Sequence, residues 1–230
     1  MVWQTYRVTK LLLASTSPAR LALLRAGGIE PATLAPGVDE DAVAAYATEM
    51  GLITSTADMV HVLAKAKAEA VLDHPAARGA VIIGCDSSLE FDGEALGKPH
   101  EVEVARVRWM AMRGRAGTLY SGHWVIDNRN PEPGVMPPAA GRVSSSIVHF
   151  ADITDLEIDA YVATGEPLKV AGAFTIDGLG GAFLRSIEGD AHTVIGLSLT
   201  TLRELVRSLG IEYTSLWNLT GGGLPGLPKE

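Results

Sequence analysis

The chain has 230 residues, 47% of them apolar and 20% charged, with a formal net charge of −8. This composition excludes a disordered chain, and the single cysteine, Cys85, excludes an internal disulfide or a cysteine-held metal cluster. The acidic balance argues against a polynucleotide partner, which needs a broad basic face, but a small anion needs only two or three well-placed cations. No apolar run approaches the ~20 residues of a membrane span, and the first ten residues lack the apolar core of a secretion signal. A reducing, cytoplasmic setting is the expectation.

Residues 10–15 read as a short apolar strand. Ser17 follows as an N-cap, with Pro18 in the first helical position and Gly27-Gly28 as the stop. Val38-Asp39-Glu40-Asp41 is an acidic cluster ahead of a helical stretch. Residues 60–72 read as a second helix, rich in alanine, in which Lys65 and Lys67 belong by default on a solvated face. Residues 80–91 form a nearly continuous apolar run, the pattern of a central strand, and Asp92-Gly93 signals a hairpin. Val102, Ala105, Trp109 and Met112 make the stripe of a third helix ending at Gly114. Residues 118–126 and 142–150 are strands around a Gly/Pro-rich insert, 127–141, which reads as an exposed hairpin extension. Thr154 and Glu157 form a capping box that opens a helix to Thr164. Residues 182–187 are a further strand, and Leu199, Leu202, Leu205, Val206 and Leu209 mark a last helix closed by Gly210. The alternation predicts an α/β protein with a mixed sheet. Residues 1–217 are expected to form one domain, and 218–230 a flexible tail.

Four places depart from ordinary core or surface logic. In Ser15-Thr16-Ser17-Pro18-Ala19-Arg20 a strand runs into a helix N-terminus, where free N–H groups and the helix dipole favour an anion. Arg20 can add a bidentate fork to a phosphate, although plain capping by Ser17 explains the hydroxyls equally. Asp86 follows six uncharged residues of a buried strand, where a carboxylate is costly unless paired, metal-bound or protonated. Lys98, in Leu96-Gly97-Lys98-Pro99, folds back toward Asp86. A three-residue turn sets it opposite Ser88 on the face of Asp86, and a two-residue turn sets it opposite Ser87 on the other face. Asp177 precedes three glycines in a tight turn whose spacing does not fit a dinucleotide fingerprint. The acidic cluster could hold a hard cation or simply open a helix. The six histidines lack metal-ligand spacing.

Taken in order, these motifs resemble the Maf-type nucleoside triphosphate pyrophosphatases. Leu11-Leu12-Leu13-Ala14-Ser15-Thr16-Ser17-Pro18-Ala19-Arg20 is similar to the family's opening motif, Val38-Asp39-Glu40 to its acidic motif, and Leu63-Ala64-Lys65-Ala66-Lys67-Ala68 to its lysine-bearing helix. Gly84-Cys85-Asp86-Ser87 and Leu96-Gly97-Lys98-Pro99 resemble the central pair. Thr164-Gly165-Glu166-Pro167 through Gly178-Leu179-Gly180-Gly181 and Val194-Ile195-Gly196-Leu197 resemble the C-terminal signature. The resemblance implies hydrolysis of nucleoside triphosphates, modified or non-standard ones included, to monophosphate and pyrophosphate. It also implies an elongated, inosine-triphosphatase-like α/β fold with a central cleft, a divalent cation (Mg²⁺ or Mn²⁺), and often a homodimer.

Carried over position by position, the resemblance implies Asp86 as general base, Glu40 and Asp86 as metal ligands, and Ser15, Arg20, Lys67, Lys98 and Asp177 as substrate-binding residues. Two positions depart from the family pattern. Ala19 stands where a second basic residue is common, and Asp177 where glutamine prevails. An amide both donates and accepts, which suits thymine or uracil, whereas a carboxylate only accepts and suits the N–H edge of guanine. Because the family is associated with arrest of septum formation, the competing reading is a nucleotide-binding regulator of division with little or no catalysis. Retention of Asp86, Glu40, Lys67 and Lys98 speaks against a relic cleft.

Overall fold

A computed structural model describes residues 8–218. Three consecutive leucines make β1 (Lys10–Ala14), buried from Leu11 onward. Ser17 caps α1 (Pro18–Ala26), with proline in its first turn as expected. After the short β2 (Ala32–Thr33) come α2 (Glu40–Glu49), capped by Asp39, and α3 (Thr56–Ala70), capped by Ser55. That cap starts α3 four residues before the apolar pattern does. The central strand is β3 (Ala80–Phe91), followed by β4 (Glu94–Leu96) and α4 (Val102–Met112).

Strands β5 (Ala116–Asn128) and β6 (Ala139–Phe150) pair further than the sequence pattern suggests, which leaves 129–138 as their connection. The capping box of Thr154 and Glu157 opens α5 (Asp155–Ala163) as expected. A 3₁₀ turn at Leu179–Phe183 delays β7 (Leu184–Gly189), and α6 (Ala191–Ile195) and α7 (Leu199–Ser208) complete the order. Of the predicted tail, residues 219–230 lie outside the described residues, while Asn218 is held by two hydrogen bonds with the main chain of Glu30. No helix among the described residues is long and apolar enough to cross a membrane.

The seven strands form one mixed sheet in the order β2-β1-β3-β5-β6-β7, with β4 on the remaining length of β3. β1 runs parallel to β2 and β3, and the later strands pair antiparallel. Strand alternation divides the core. Leu12, Ala14, Ala80 and Ile82 face α3. On the other face, Leu11, Leu13, Val81 and Ile83 pack against α1 and α7, and Leu89, Phe91 and Leu119 pack around Trp109 with α4 and α5. Between those two apolar groups, on the same face, lie Cys85, Ser87, Ser121 and His123.

Two glycines let α3 rest directly on the sheet. A Cβ at Gly84 would strike the Ala64 carbonyl and the main chain of Ala68, and one at Gly122 would strike Val60. Any side chain at either position must lift the helix. Gly122→Ala is therefore expected to lower the unfolding free energy by about 2 kcal/mol, measured as a denaturant midpoint shift at unchanged slope.

His123 is wholly buried and accepts the Ser198 N–H at Nε2 (2.8 Å), so its neutral form carries the proton on Nδ1. Burial, assisted by the charge of Arg20, pushes its pKa down from 6.5 to about 4. Protonation thus favours the unfolded chain. The contribution is complete above pH ~6.5 and is lost as pH falls toward 4, amounting to about 2 kcal/mol by pH 5. Urea unfolding at pH 7 and pH 5 should show that extra loss for wild type and not for His123→Gln, which keeps an acceptor but does not titrate.

Candidate active site

Strand β3 has different neighbours along its length. β1 covers it as far as Ala14 against Gly84, and β4 covers it from Leu89 against Leu96. In between, residues 85–88 pair with β5 alone, so their other edge is open. This gap is the candidate position for the cleft that the family resemblance implies.

Asp86 sits in the gap on the face covered by α3. Lys67 Nζ donates to Asp86 Oδ1 at 2.6 Å and pairs with Glu40 Oε1 at 2.9 Å. Lys67 and Asp86 are only 7% and 8% exposed. Burial pushes the Asp86 carboxyl above the usual carboxylate range; the charge and hydrogen bond of Lys67, and more weakly Arg20, oppose that push. The ammonium is thus the counter-charge that makes a carboxylate tolerable inside the strand. Lys67 corrects the solvated-face expectation, because the glycine-permitted seat of α3 carries its stem indoors. The acidic cluster divides its work: Asp39 caps α2 through the Ala42 N–H (3.0 Å), and Glu40 reaches Lys67.

Arg20 enters from the opposite face. Its Nε donates to Gly196 O (2.8 Å), Nη1 to Cys85 O (2.9 Å) and Ser15 Oγ (3.3 Å), and Nη2 to Ser87 Oγ (3.0 Å). The guanidinium stands in for the missing strand at the Cys85 carbonyl. One of its five N–H groups stays unassigned, so the fork expected for a phosphate is largely engaged by the protein itself. Ser15 accepts from Ser17 N–H (3.1 Å) as well, which leaves its own proton to donate. From Ser87 the chain continues to Ser121 Oγ (2.8 Å) and on to Thr193 O (2.8 Å). Gly196 is at φ +110°, and a Cβ there would crowd Arg20 Nε at 3.1 Å. Cys85 is packing: it is buried in the core and its thiol is pushed up to about 11 by burial.

Ser15, Arg20, Glu40, Lys67 and Asp86 therefore converge, whereas Lys98 and Asp177 are exposed and make no hydrogen bond or ion pair with that group among the described residues. The β3–β4 hairpin has the two-residue turn, with Phe91 opposite Glu94 and positive φ at Asp92 and Gly93. Pairing ends at Leu96, so Lys98 lies past the ladder and beyond the alternation rule. Asp177 sits on a turn organised by Glu166. That carboxylate accepts from Tyr161 Oη (3.0 Å), Thr175 Oγ1 (2.5 Å) and the N–H groups of Leu179 and Gly180 (3.0 Å each). Burial alone would raise the pKa of Glu166, but these donors hold it below its ordinary value. Sequence reasoning missed Glu166, Ser87, Ser121 and Gly196. Their partners lie on other segments of the chain, Arg20 for Ser87 and Gly196, Thr193 for Ser121, and the Leu179 and Gly180 amides for Glu166, and residue spacing does not encode such pairs.

Among the described residues, no three of His, Cys, Asp and Glu gather as a metal site. Glu40 and Asp86 nonetheless converge on one ammonium. Two carboxylates completed by phosphate oxygens and water form an ordinary donor set for Mg²⁺, so these residues fit a cation that arrives with its substrate.

The curated proteins similar to this chain include several named nucleoside triphosphate pyrophosphatase. That of Leifsonia xyli subsp. xyli is 57% identical, covering 94% of this chain and 100% of the relative. Those of Streptomyces coelicolor and Streptomyces avermitilis are 50% and 48% identical, each covering 90% of this chain and 94% of the relative. Among solved structures, the Staphylococcus aureus Ham1 protein aligns over 86% of this chain and 91% of its own, with 10% identity and a TM-score of 0.37. The sequence model of the family described as Maf-like protein matches residues 10–209. With that match spanning most of its length, the chain belongs to the Maf-like family.

Proposed function

We propose that this chain hydrolyses nucleoside triphosphates to nucleoside monophosphate and pyrophosphate at the open edge of β3, as a cytoplasmic enzyme using Mg²⁺ or Mn²⁺. The observation that carries the mechanism is the buried Asp86–Lys67 pair facing an edge that the sheet leaves uncovered. A dead relic has no physical reason to keep a desolvated carboxylate there. Phosphoryl transfer needs positioning and charge stabilisation more than covalent chemistry from the protein. Ser15 donates a neutral hydrogen bond to the phosphate chain, and Arg20, Lys67 and Lys98 supply positive charge around it. Glu40 and Asp86 would hold the divalent cation, which would offset phosphate charge and make a nearby water easier to deprotonate. Asp86 orients the attacking water and accepts its proton as oxygen attacks the α-phosphorus, and pyrophosphate leaves with the cleaved P–O bond electrons.

Asp177 is assigned to the base. Its carboxylate can accept from N–H donors and cannot donate, so it favours a guanine edge over thymine or uracil. Glu166, by fixing the turn, sets where that carboxylate stands.

Two measurements test the reading. Pyrophosphate release over a nucleotide panel with Mg²⁺ or Mn²⁺ should be robust for wild type, with kcat falling by roughly 10²- to 10⁴-fold in Asp86→Asn while nucleotide binding stays within a few-fold. Full activity in that variant sinks the mechanism, and absence of release from wild type sinks the enzyme reading in favour of a binding regulator. In the same panel, Asp177→Gln should raise kcat/KM for dTTP and UTP relative to GTP by roughly tenfold. An unchanged ranking of bases removes Asp177 from recognition.

A further inference from the structure

Five arginines among the described residues are partly buried: Arg20, Arg106, Arg108, Arg113 and Arg129. Three of them have carboxylate partners, Asp159, Asp155 and Asp127 respectively for Arg106, Arg113 and Arg129. Arg20 and Arg108 have none among the described residues. A partly desolvated guanidinium without a counter-ion is unusual where the fold could have kept it exposed or paired it. Arg20 already lies at the site.

Arg108, on α4, repeats its arrangement on the other side of the gap. Its Nη1 donates to Gly97 O at 2.6 Å, a carbonyl that also accepts from Gly172 N–H at 3.3 Å. So each of the two unpaired guanidiniums is anchored on a main-chain carbonyl at one end of the uncovered stretch: Arg20 on Cys85, its first residue, and Arg108 on Gly97, the residue after the last β4 pair. The last pair of the β3–β4 ladder is Leu89 with Leu96, so Gly97 and Lys98 follow directly where β4 stops covering β3. A Cβ added at Gly97 would meet nothing within 4 Å, so there is open space in front of this lip. Four of the five N–H groups of Arg108 have no partner among the described residues. Burial lowers its pKa with no carboxylate to restore it.

We propose that Arg108 is a substrate-binding residue that, together with Lys98, grips the phosphate chain from the β4 side of the cleft. This rests on the triphosphate reading above and adds to it a second cationic lip opposite Ser15 and Arg20. The site takes a di- or triphosphate moiety, which presents enough charge to engage both lips at once, in preference to a single phosphate.

The test is titration calorimetry of the full chain with inorganic pyrophosphate and Mg²⁺, alongside nucleotide kinetics, for wild type, Arg108→Gln and Arg108→Lys. Glutamine can still donate to Gly97 O but carries no charge, and lysine keeps the charge. Pyrophosphate affinity should fall roughly tenfold or more in Arg108→Gln, with a shallower dependence on salt, and remain within a few-fold of wild type in Arg108→Lys. KM for the triphosphate should rise with kcat little changed. Unchanged pyrophosphate affinity in Arg108→Gln overturns the proposal. So does an equal loss in both variants accompanied by a lowered melting temperature, which assigns Arg108 to holding the loop alone. Wild type that binds pyrophosphate through Arg108 but releases none from any nucleotide leaves this inference standing and removes the catalytic reading. Wild type that hydrolyses nucleotides with no effect of Arg108→Gln does the reverse.

Discussion

An aspartate in the middle of a buried strand survives as a carboxylate only if a cation is brought to it, and the rest of this site follows from how that is arranged. Lys67 reaches Asp86 because α3 lies directly on the sheet, and α3 lies there because Gly84 and Gly122 have no side chain to hold it off. The same ammonium draws in Glu40 from the first turn of α2. One charge thus gathers two acids from separate elements, and two acids at one point are what a hard cation needs. If the helix rose by the thickness of a methyl group, the ammonium would move away from both.

The opposite face shows the same logic with neutral groups. Strand β3 changes partners from β1 to β4, which leaves residues 85–88 uncovered on one side. A bare carbonyl at a strand edge is costly unless satisfied, and the Arg20 guanidinium satisfies the one at Cys85. Another of its bonds runs to Ser87 and on through Ser121 to Thr193, so a polar chain separates the two apolar cores on that face. The candidate site lies where the packing is interrupted.

Much of this was legible in the residues. Apolar runs and caps placed β1, α1, β3 and α5, and the energetic cost of Asp86 singled it out before any partner was known. The misplaced boundaries have local causes: the Ser55 cap ahead of the apolar pattern of α3, and the 3₁₀ turn that delays β7. Composition alone leaves Lys67 on a solvated face, because it describes a helix only against solvent and the glycines that bury this face lie on other strands; the family resemblance already set it among the site residues. Glu166 and Gly196 were seen as motif letters without roles. Glu166 binds amides thirteen and fourteen residues away, and Gly196 offers a carbonyl to an arginine 176 residues away. Periodicity carries no information about such pairs.

The near-saturation of Arg20 bears on how firmly a bound nucleotide is held. For a phosphate arriving at this guanidinium, one N–H is unassigned and every further hydrogen bond comes by exchange against Ser15, Ser87 or a main-chain carbonyl, and exchanging one bond for another nets little free energy. What Arg20 offers without exchange is that one N–H and its charge, already oriented and fixed in place. Such a field acts most strongly on the species with the most concentrated negative charge, so it discriminates between states along the reaction more than it tightens the resting complex. A site wired this way tends toward loose ground-state binding and ready release of its products.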